Sequence, residues 1–321
     1  MKTINKIIVL LTLVLLTSLY SCEDIIEDDI SNDTVQISYP LNNQSIYSNV
    51  VNFQWQELNG ADKYRLQVYN ASSNMILDSL VSQTHFSFPI SEGNYQWRIR
   101  GENSAYNSNY TFNNNFSVFQ TSDLTSQQVI LSNPSDNFYT NNTSLILNWA
   151  SLTAAQTYNF ELINVTNSES IVSQQNNLTT TSVTLNSTLL TSDAEYRWKV
   201  KGVNSSSETA FSFRKFYLDR SNPNTPINSS PVNNSTQTQS QQINFNWSMP
   251  ADVGTIQSTI SYVIEFSNDI NFTSILQTSD VTTTTFQQSF STTGDYYWRV
   301  RAKDLAGNVG INSTVFKFTV N

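Results

Sequence analysis

Hydrophobic and polar positions alternate along short stretches of this chain, and the alternation recurs at a fixed distance. The clearest copies are Tyr95-Gln96-Trp97-Arg98-Ile99-Arg100, Tyr196-Arg197-Trp198-Lys199-Val200-Lys201 and Tyr296-Tyr297-Trp298-Arg299-Val300-Arg301, spaced 101 and 100 residues apart. Alternation with period two marks a half-buried strand, because successive side chains point to opposite faces of a sheet. A period of about one hundred residues predicts three separate modules, each large enough for its own core.

The elements around the repeated phrase recur as well. Pro40, Pro134 and Pro231 each precede a tryptophan by 15, 15 and 16 residues, and a proline suits a first strand at a sheet rim or strand break. Apolar residues at every second place predict a second strand over 51–55, 145–149 and 243–247, ending at Trp55, Trp149 and Trp247. A third strand starts at Tyr64, Tyr158 and Tyr262, with an insertion of six residues before it in module three, around Pro250 to Gly254. Such an insertion belongs in a loop. Thr/Ser-rich strands with Phe86, Val183 and Phe286 as inward anchors follow, and each module closes on an aromatic strand, over 112–119, 211–217 and 315–320. No helical stripe of useful length appears. The predicted fold class is all-β, with modules at 34–120, 126–218 and 224–321 joined by polar connections.

Three sets of positions carry a family resemblance: the tryptophan of the second strand, the tyrosine of the third, and Tyr95, Tyr196 and Tyr296, each two residues before an inward aromatic. The modules resemble fibronectin type III-like domains, within the wider group of immunoglobulin-like β-sandwiches. The resemblance implies that Tyr95, Tyr196 and Tyr296 are tyrosine corners bonding back to nearby backbone. It also implies a structural core built on Trp55, Tyr95, Trp97, Trp149, Tyr196, Trp198, Trp247, Tyr296 and Trp298. Trp97, Trp198 and Trp298 stand where that family prefers a smaller apolar residue.

The amino terminus has a different character. Lys2 and Lys6 precede an apolar run of 13 residues, Ile7 to Leu19, which is short for a membrane span and fits a signal peptide over residues 1–21. The ending Leu19-Tyr20-Ser21-Cys22 resembles the lipobox of bacterial lipoproteins, which implies lipidation at Cys22, the only cysteine. The acidic stretch that follows, read as a tether over 22–33, resembles the export signal of surface-displayed lipoproteins in Bacteroidota. The implied address is the outer membrane, with the chain lipid-anchored and exposed at the surface. One acyl chain holds a protein only marginally, whereas two or more hold it stably. With its one thiol so used, the chain forms no disulfide and depends on packing.

Charge then narrows the partners. The formal charge of −9 becomes −11 once Lys2 and Lys6 leave with the signal. An acidic chain repels nucleic acid on average, so nucleic-acid binding is disfavoured. The membrane, through the lipid anchor, and a polysaccharide or cell-surface protein are the expected partners.

Candidate chemistry is sparse. His85 is the only histidine, and its place beside the inward Phe86 predicts a solvent-facing side chain. No Gly-rich phosphate loop, HExxH or nucleophile elbow occurs, so no catalytic residue, cofactor or metal is predicted. Asp304-Leu305-Ala306-Gly307-Asn308 reads as a turn, since one aspartate and one asparagine fall short of the six or more oxygens that calcium takes.

Seven of the 14 basic residues outside the signal fall on the outward parity of the repeated strand. Glu161 and Glu265 are the predicted cross-strand acids in modules two and three. Module one instead places Lys63 and Arg65 beside Arg98 and Arg100, a candidate anion or glycan face, the alternative being that these side chains splay into water or meet Glu92, Glu102 or Asp62. Tyr106 and Tyr110, in an Asn/Ser-rich loop, form a candidate stacking platform for sugars, the alternative being that they pack within the loop. Thr34 and Ser79 lie in three-residue patterns resembling the O-glycosylation motif of Bacteroidota.

The function expected from these features is a non-catalytic surface lipoprotein, a modular stalk for adhesion or for carbohydrate or protein binding. An accessory subunit of an outer-membrane glycan-uptake or secretion complex is the alternative. A glycan-active enzyme working through two carboxylates is the third, and no predicted cleft supports it.

Overall fold

The computed structural model describes residues 27–321, all of them strand, turn or irregular backbone. The signal peptide, Cys22 and the first residues of the acidic stretch lie outside the described residues.

Eight strands make each module. Module one contains β1 (Ile37–Tyr39), β2 (Gln44–Ile46), β3 (Val50–Trp55), β4 (Lys63–Asn70), β5 (Met75–Val81), β6 (His85–Pro89), β7 (Gly93–Glu102) and β8 (Asn114–Val118). Module two contains β9 (Leu131–Asn133), β10 (Phe138–Thr140), β11 (Leu145–Trp149), β12 (Thr157–Asn164), β13 (Ser170–Leu178), β14 (Ser182–Leu185), β15 (Ala194–Val203) and β16 (Ser212–Leu218). Module three contains β17 (Asn228–Ser230), β18 (Ser235–Gln237), β19 (Gln242–Trp247), β20 (Ser261–Ser267), β21 (Gln277–Val281), β22 (Thr285–Ser289), β23 (Gly294–Lys303) and β24 (Phe316–Val320).

The same topology repeats three times. In module one a three-stranded sheet, β1-β3-β6, faces a five-stranded sheet, β2-β8-β7-β4-β5, and modules two and three repeat both orders. The chain is therefore all-β, three tandem sandwiches of fibronectin type III-like topology.

The repeated prolines act as strand breaks. One first strand was expected, but the chain forms two. β1 runs antiparallel to β3, and beyond Pro40 β2 joins the other sheet, parallel to β8. A proline offers no N–H to a ladder, so the chain can leave one sheet there and enter the other.

Parity along the central strand is strict. In β15, Ala194, Tyr196, Trp198 and Val200 are buried while Arg197, Lys199 and Lys201 lie outward, half-buried. Trp97, Trp198 and Trp298 are fully buried. Trp97 meets Phe53 edge-on at 5.0 Å between centroids, and Trp298 meets Phe245 at 5.2 Å. Edge-to-face pairs suit the positive rim and negative face of aromatic rings. Three separate hydrophobic clusters result, one per module. Of the predicted core positions only Tyr95 is half-buried, and the inward anchors Phe86 and Phe286 are half-buried too.

The tyrosine corners are present in all three modules. Tyr95, Tyr196 and Tyr296 donate their hydroxyls to the backbone oxygens of Ser91, Ser192 and Thr292 at 3.0, 2.9 and 2.9 Å.

Module boundaries differ from those expected. The acidic stretch does not stay a free tether up to residue 33, because Ile30 is 1% exposed and the Asp28 carbonyl accepts a bond from Asn103 Nδ2 at 2.9 Å. Leu124, placed in a polar connection by sequence, is fully buried in the core of module two. Phe112 was expected in the closing strand of module one, yet β8 begins only at Asn114 and Phe112 is 96% exposed. The chain divides into two compact units after Ser122, so that modules two and three share one unit.

Substituting Tyr196→Phe deletes a corner hydrogen bond and should destabilise the chain by about 1 kcal/mol. The half-buried Tyr95→Phe change should cost less. Urea unfolding followed by tryptophan fluorescence measures both, and an equal loss at the two sites would contradict the burial argument.

Candidate functional sites

The outward face of β4 and β7 brings the predicted basic residues of module one together in a different pairing from the one expected. Register sets Arg65 opposite Arg100, Gln67 opposite Arg98 and Lys63 opposite Glu102. The like-charged Arg65 and Arg100 are reconciled by Glu102, whose Oε1 accepts from Arg65 at 2.8 Å and from Arg100 at 2.7 Å. Asp78 on β5 takes Arg65 Nη1 at 3.1 Å.

Among the described residues no carboxylate forms an ion pair with Arg98. That arginine donates to Gln67 Oε1 at 2.9 Å and to the Tyr69 hydroxyl at 3.0 Å, and lies 4.3 Å from the ring centroid of Tyr110. Arg100 lies 4.8 Å from the same ring. Tyr110 therefore serves as a plate beneath two guanidinium groups, worth about 0.5–1 kcal/mol for each exposed cation–π contact. The ring is half-buried, and these two guanidinium groups lie against it. Burial raises its hydroxyl pKa, with the neighbouring arginines acting the other way. Tyr106 is 39% exposed and turns on Asn103, whose Oδ1 accepts its backbone N–H at 2.7 Å.

Modules two and three repeat this construction. Glu161 pairs with Lys199 at 2.8 Å, and Glu265 takes both Arg299 at 2.8 Å and Arg301 at 2.7 Å, on the predicted cross-strand register. Phe211 lies under Lys199 at 4.5 Å and Phe272 under Arg299 at 4.1 Å. Tyr110 and Phe211 each fall 15 residues after the corner tyrosine, whereas module three has the 77% exposed Ile311 there and borrows Phe272 from the loop between β20 and β21. These aromatic plates were missed, and the shared offset of Tyr110 and Phe211 was the available signal.

Burial separates the acids. It would raise the pKa of Glu102 and of Glu265, but hydrogen bonds and charge from their paired arginines outweigh it and hold both below the ordinary value of 4.5. Glu265 is 4% exposed and so carries the higher stake.

The two candidate glycosylation residues differ in access. Thr34 is exposed, with its backbone bridged to Asn109, while Ser79 lies half-buried within β5 opposite Leu66. His85 is exposed on β6 opposite Gln54.

One carboxylate cluster occurs among the described residues, formed by Asp219, Asp252 and Asp304, each with an oxygen within 4.8 Å of the others'. Burial pushes Asp219 up to about 6, and the charges of Asp304, Asp252 and Asp193 push the same way. Sequence spacing gave no sign of it, because the three residues lie 33 and 52 positions apart.

No family model and no curated protein matches the chain. Among solved structures it is similar to the FN1–FN3 domains of chicken CNTN1, at 17% identity over 89% of this chain and 96% of that one, with a TM-score of 0.39. It is also similar to a two-domain fibronectin type III segment of chicken tenascin, at 15% identity over 60% of this chain and all of that one, with a TM-score of 0.22.

Glu265→Gln should cost about 3 kcal/mol by leaving two guanidinium groups without their anion in a buried setting. Glu102→Gln should cost about 1 kcal/mol, since its pairs are wetter and Arg65 keeps Asp78. A carboxyl depressed on folding stabilises the native state above its unfolded pKa and loses that contribution as pH falls through the folded value. The gap between wild type and Glu265→Gln should thus be full above pH 4.5 and narrow below it, as read by urea unfolding across a pH series.

Proposed function

We propose that the chain is a non-catalytic surface protein, lipid-anchored at Cys22 in the outer membrane, whose sandwich modules bind polysaccharide or cell-surface protein. One observation carries this reading. The large aromatic residues of each module close a core of that module alone, so the outward strand faces and loops are what remain to meet a partner. The carboxylates and cations of those faces are largely matched to each other within a module, an arrangement that orders a surface rather than activating a nucleophile or acid.

Acidic polysaccharide is the favoured ligand class for module one. Arg98 is held rigidly by Gln67, Tyr69 and Tyr110 without a carboxylate neutralising it, and Lys63 is exposed on the same strand face. A preorganised guanidinium can take a carboxylate or sulfate group at low entropic cost. Arg65 and Arg100 contribute less to such a face than their number suggests, because Glu102 and Asp78 already occupy them.

Two measurements test the proposal. Wild-type protein should partition into the detergent phase, and Cys22→Ala into the aqueous phase; protease applied to intact cells should release the wild-type modules. In binding assays with a sulfated or uronic-acid polysaccharide, Lys63→Ala with Arg98→Ala should weaken affinity about tenfold, a loss of about 1.4 kcal/mol. Detergent partitioning that survives loss of Cys22 removes the anchor, and unchanged affinity in the double variant removes the ligand face.

A further inference from the structure

The junction between modules two and three carries three negative charges with no cation beside them. Asp219 follows β16 at the exit of module two, Asp252 lies in the loop between β19 and β20, and Asp304 lies in the turn after β23. Asp219 is fully buried, Asp304 is 4% exposed and Asp252 is half-buried. Among the described residues no lysine or arginine pairs with any of them, and Arg220, the immediate neighbour of Asp219, is turned to Asp193 at 2.6 Å. Three like charges within such a distance in a dry setting repel strongly unless something positive joins them.

The hydrogen bonds leave one oxygen free. Asp219 Oδ1 accepts the Ser221 N–H at 2.9 Å, while Asp219 Oδ2 is buried without any hydrogen-bond partner. Asp252 is held by the N–H groups of Val253 and Ser258 at 2.9 and 2.7 Å. Asp304 is held by the backbone and side-chain nitrogens of Asn308, both at 2.8 Å. Two carboxylates are thus oriented by neutral donors that remove none of their charge, and the third keeps a buried oxygen with no hydrogen-bond partner, in a cluster whose carboxylate oxygens lie within 4.8 Å of one another.

The repeats provide an internal control. Eight residues after the corner tyrosine, modules one and two have Asn103 and Asn204, and module three has Asp304. The neutral amides donate to backbone oxygens, Asn103 to Gly60 at 2.7 Å and Asn204 to Ala154 at 3.1 Å. An aspartate there forfeits that donor and adds a buried charge. The residue after the closing strand is Phe119 in module one and Asn321 in module three, but Asp219 in module two. Asp252 lies in the insertion that only module three possesses. Every member of the cluster is therefore a departure from the repeat, and all three departures converge on one place.

We propose that Asp219, Asp252 and Asp304 bind a calcium ion that ties module three to the exit of module two. The donor set is oxygen only, with no histidine or cysteine, which selects a hard cation over zinc or copper. Calcium takes six to eight oxygens in irregular geometry, and three carboxylates from three separate loops, completed by backbone oxygens and water, suit it better than the strict octahedron of magnesium. Asn308 braces the arrangement: its Nδ2 also donates to the Asp219 carbonyl at 2.9 Å, and its Oδ1 accepts from Asn141 of module two at 3.1 Å. The insertion packs directly on the linker, since a Cβ at Gly254 would run into the Ser221 side chain. An ion at this place would reinforce the contacts by which Asn308 and the insertion already hold module three to the exit of module two.

Calorimetric titration and thermal melting of the full mature chain, stripped with EDTA and then given calcium chloride, test the site. Calcium should bind with measurable heat and raise the melting temperature of the transition containing modules two and three by about 5 °C at a hundredfold excess over its dissociation constant. Magnesium at the same concentration should do much less. Asp252→Asn should abolish the calcium response while melting in EDTA no lower than wild type, because loss of one charge relieves the unliganded cluster. Asp219→Asn should do the same, and either variant suffices if the other fails to fold. Absence of heat and of any shift up to millimolar calcium overturns the proposal, as does an equal response to magnesium or a calcium response that persists in both variants.

Discussion

A strand that separates a dry interior from water must satisfy both sides at once, and the rest of this molecule depends on how its central strands do so. Inward, Trp97, Trp198 and Trp298 each fill the middle of a module and are fully buried. Outward, on the adjacent residues, stand arginines and lysines. The two faces are coupled by the backbone, because a slip of one residue would put guanidinium groups in the core and indoles in water. That penalty pins the register. It is accepted at some cost, since the indole N–H groups of Trp198 and Trp298 are buried without an acceptor, and only Trp97 finds one, the Pro40 carbonyl at 3.1 Å. An unmet buried donor costs about 1–3 kcal/mol, and burying the rest of a large aromatic residue outweighs it.

Outside, charge is handled by sharing rather than by simple pairing. Glu102 and Glu265 each serve two arginines, so a single acid ties two strands across the sheet. Aromatic rings then lie against the charged heads of the cations. Module three is instructive, because the plate comes from Phe272, at a left-handed φ of 53°, and not from the place used by Tyr110 and Phe211. The same physical need is met from a different loop, which indicates that the covered cation, and not a particular sequence position, is what the surface requires.

Features written in local periodicity were legible before any coordinates. The inward tryptophans and the outward basic rows follow from period two and a repeat near one hundred residues, while the corner role of Tyr95, Tyr196 and Tyr296 is what the family resemblance implies, and their hydroxyls do bond back to the backbone. What periodicity does not encode was missed or misplaced. Ile30 follows acids and has no apolar partner at period two to establish a phase, yet it is buried near Gly60 and Gly101 of module one. Phe112 shares the parity of Phe116 and Val118, but parity has meaning only within a strand, and β8 starts after it. Arg65, Arg98 and Arg100 share one face, and of the acids the sequence offers them, Glu92, Glu102 and Asp62, the choice of Glu102 depends on where two strands come into line across the sheet. Such a shift of pairing is long-range information.

The acidic junction follows the same logic in reverse. Repeated modules share one solution for each structural position, so a residue that departs from its two counterparts has been released from that solution or recruited to another need. Asp304 replaces an asparagine whose amide donates to backbone in both other modules, and it is instead itself held by the amide of Asn308, four residues on. A substitution that only relaxed a constraint would not be expected to meet two further carboxylates drawn from a linker and an insertion. The convergence is the costly arrangement for an isolated chain and the favourable one for a chain that holds a cation there, and that difference in sign is why the junction is better understood as a site than as a loosely tolerated turn.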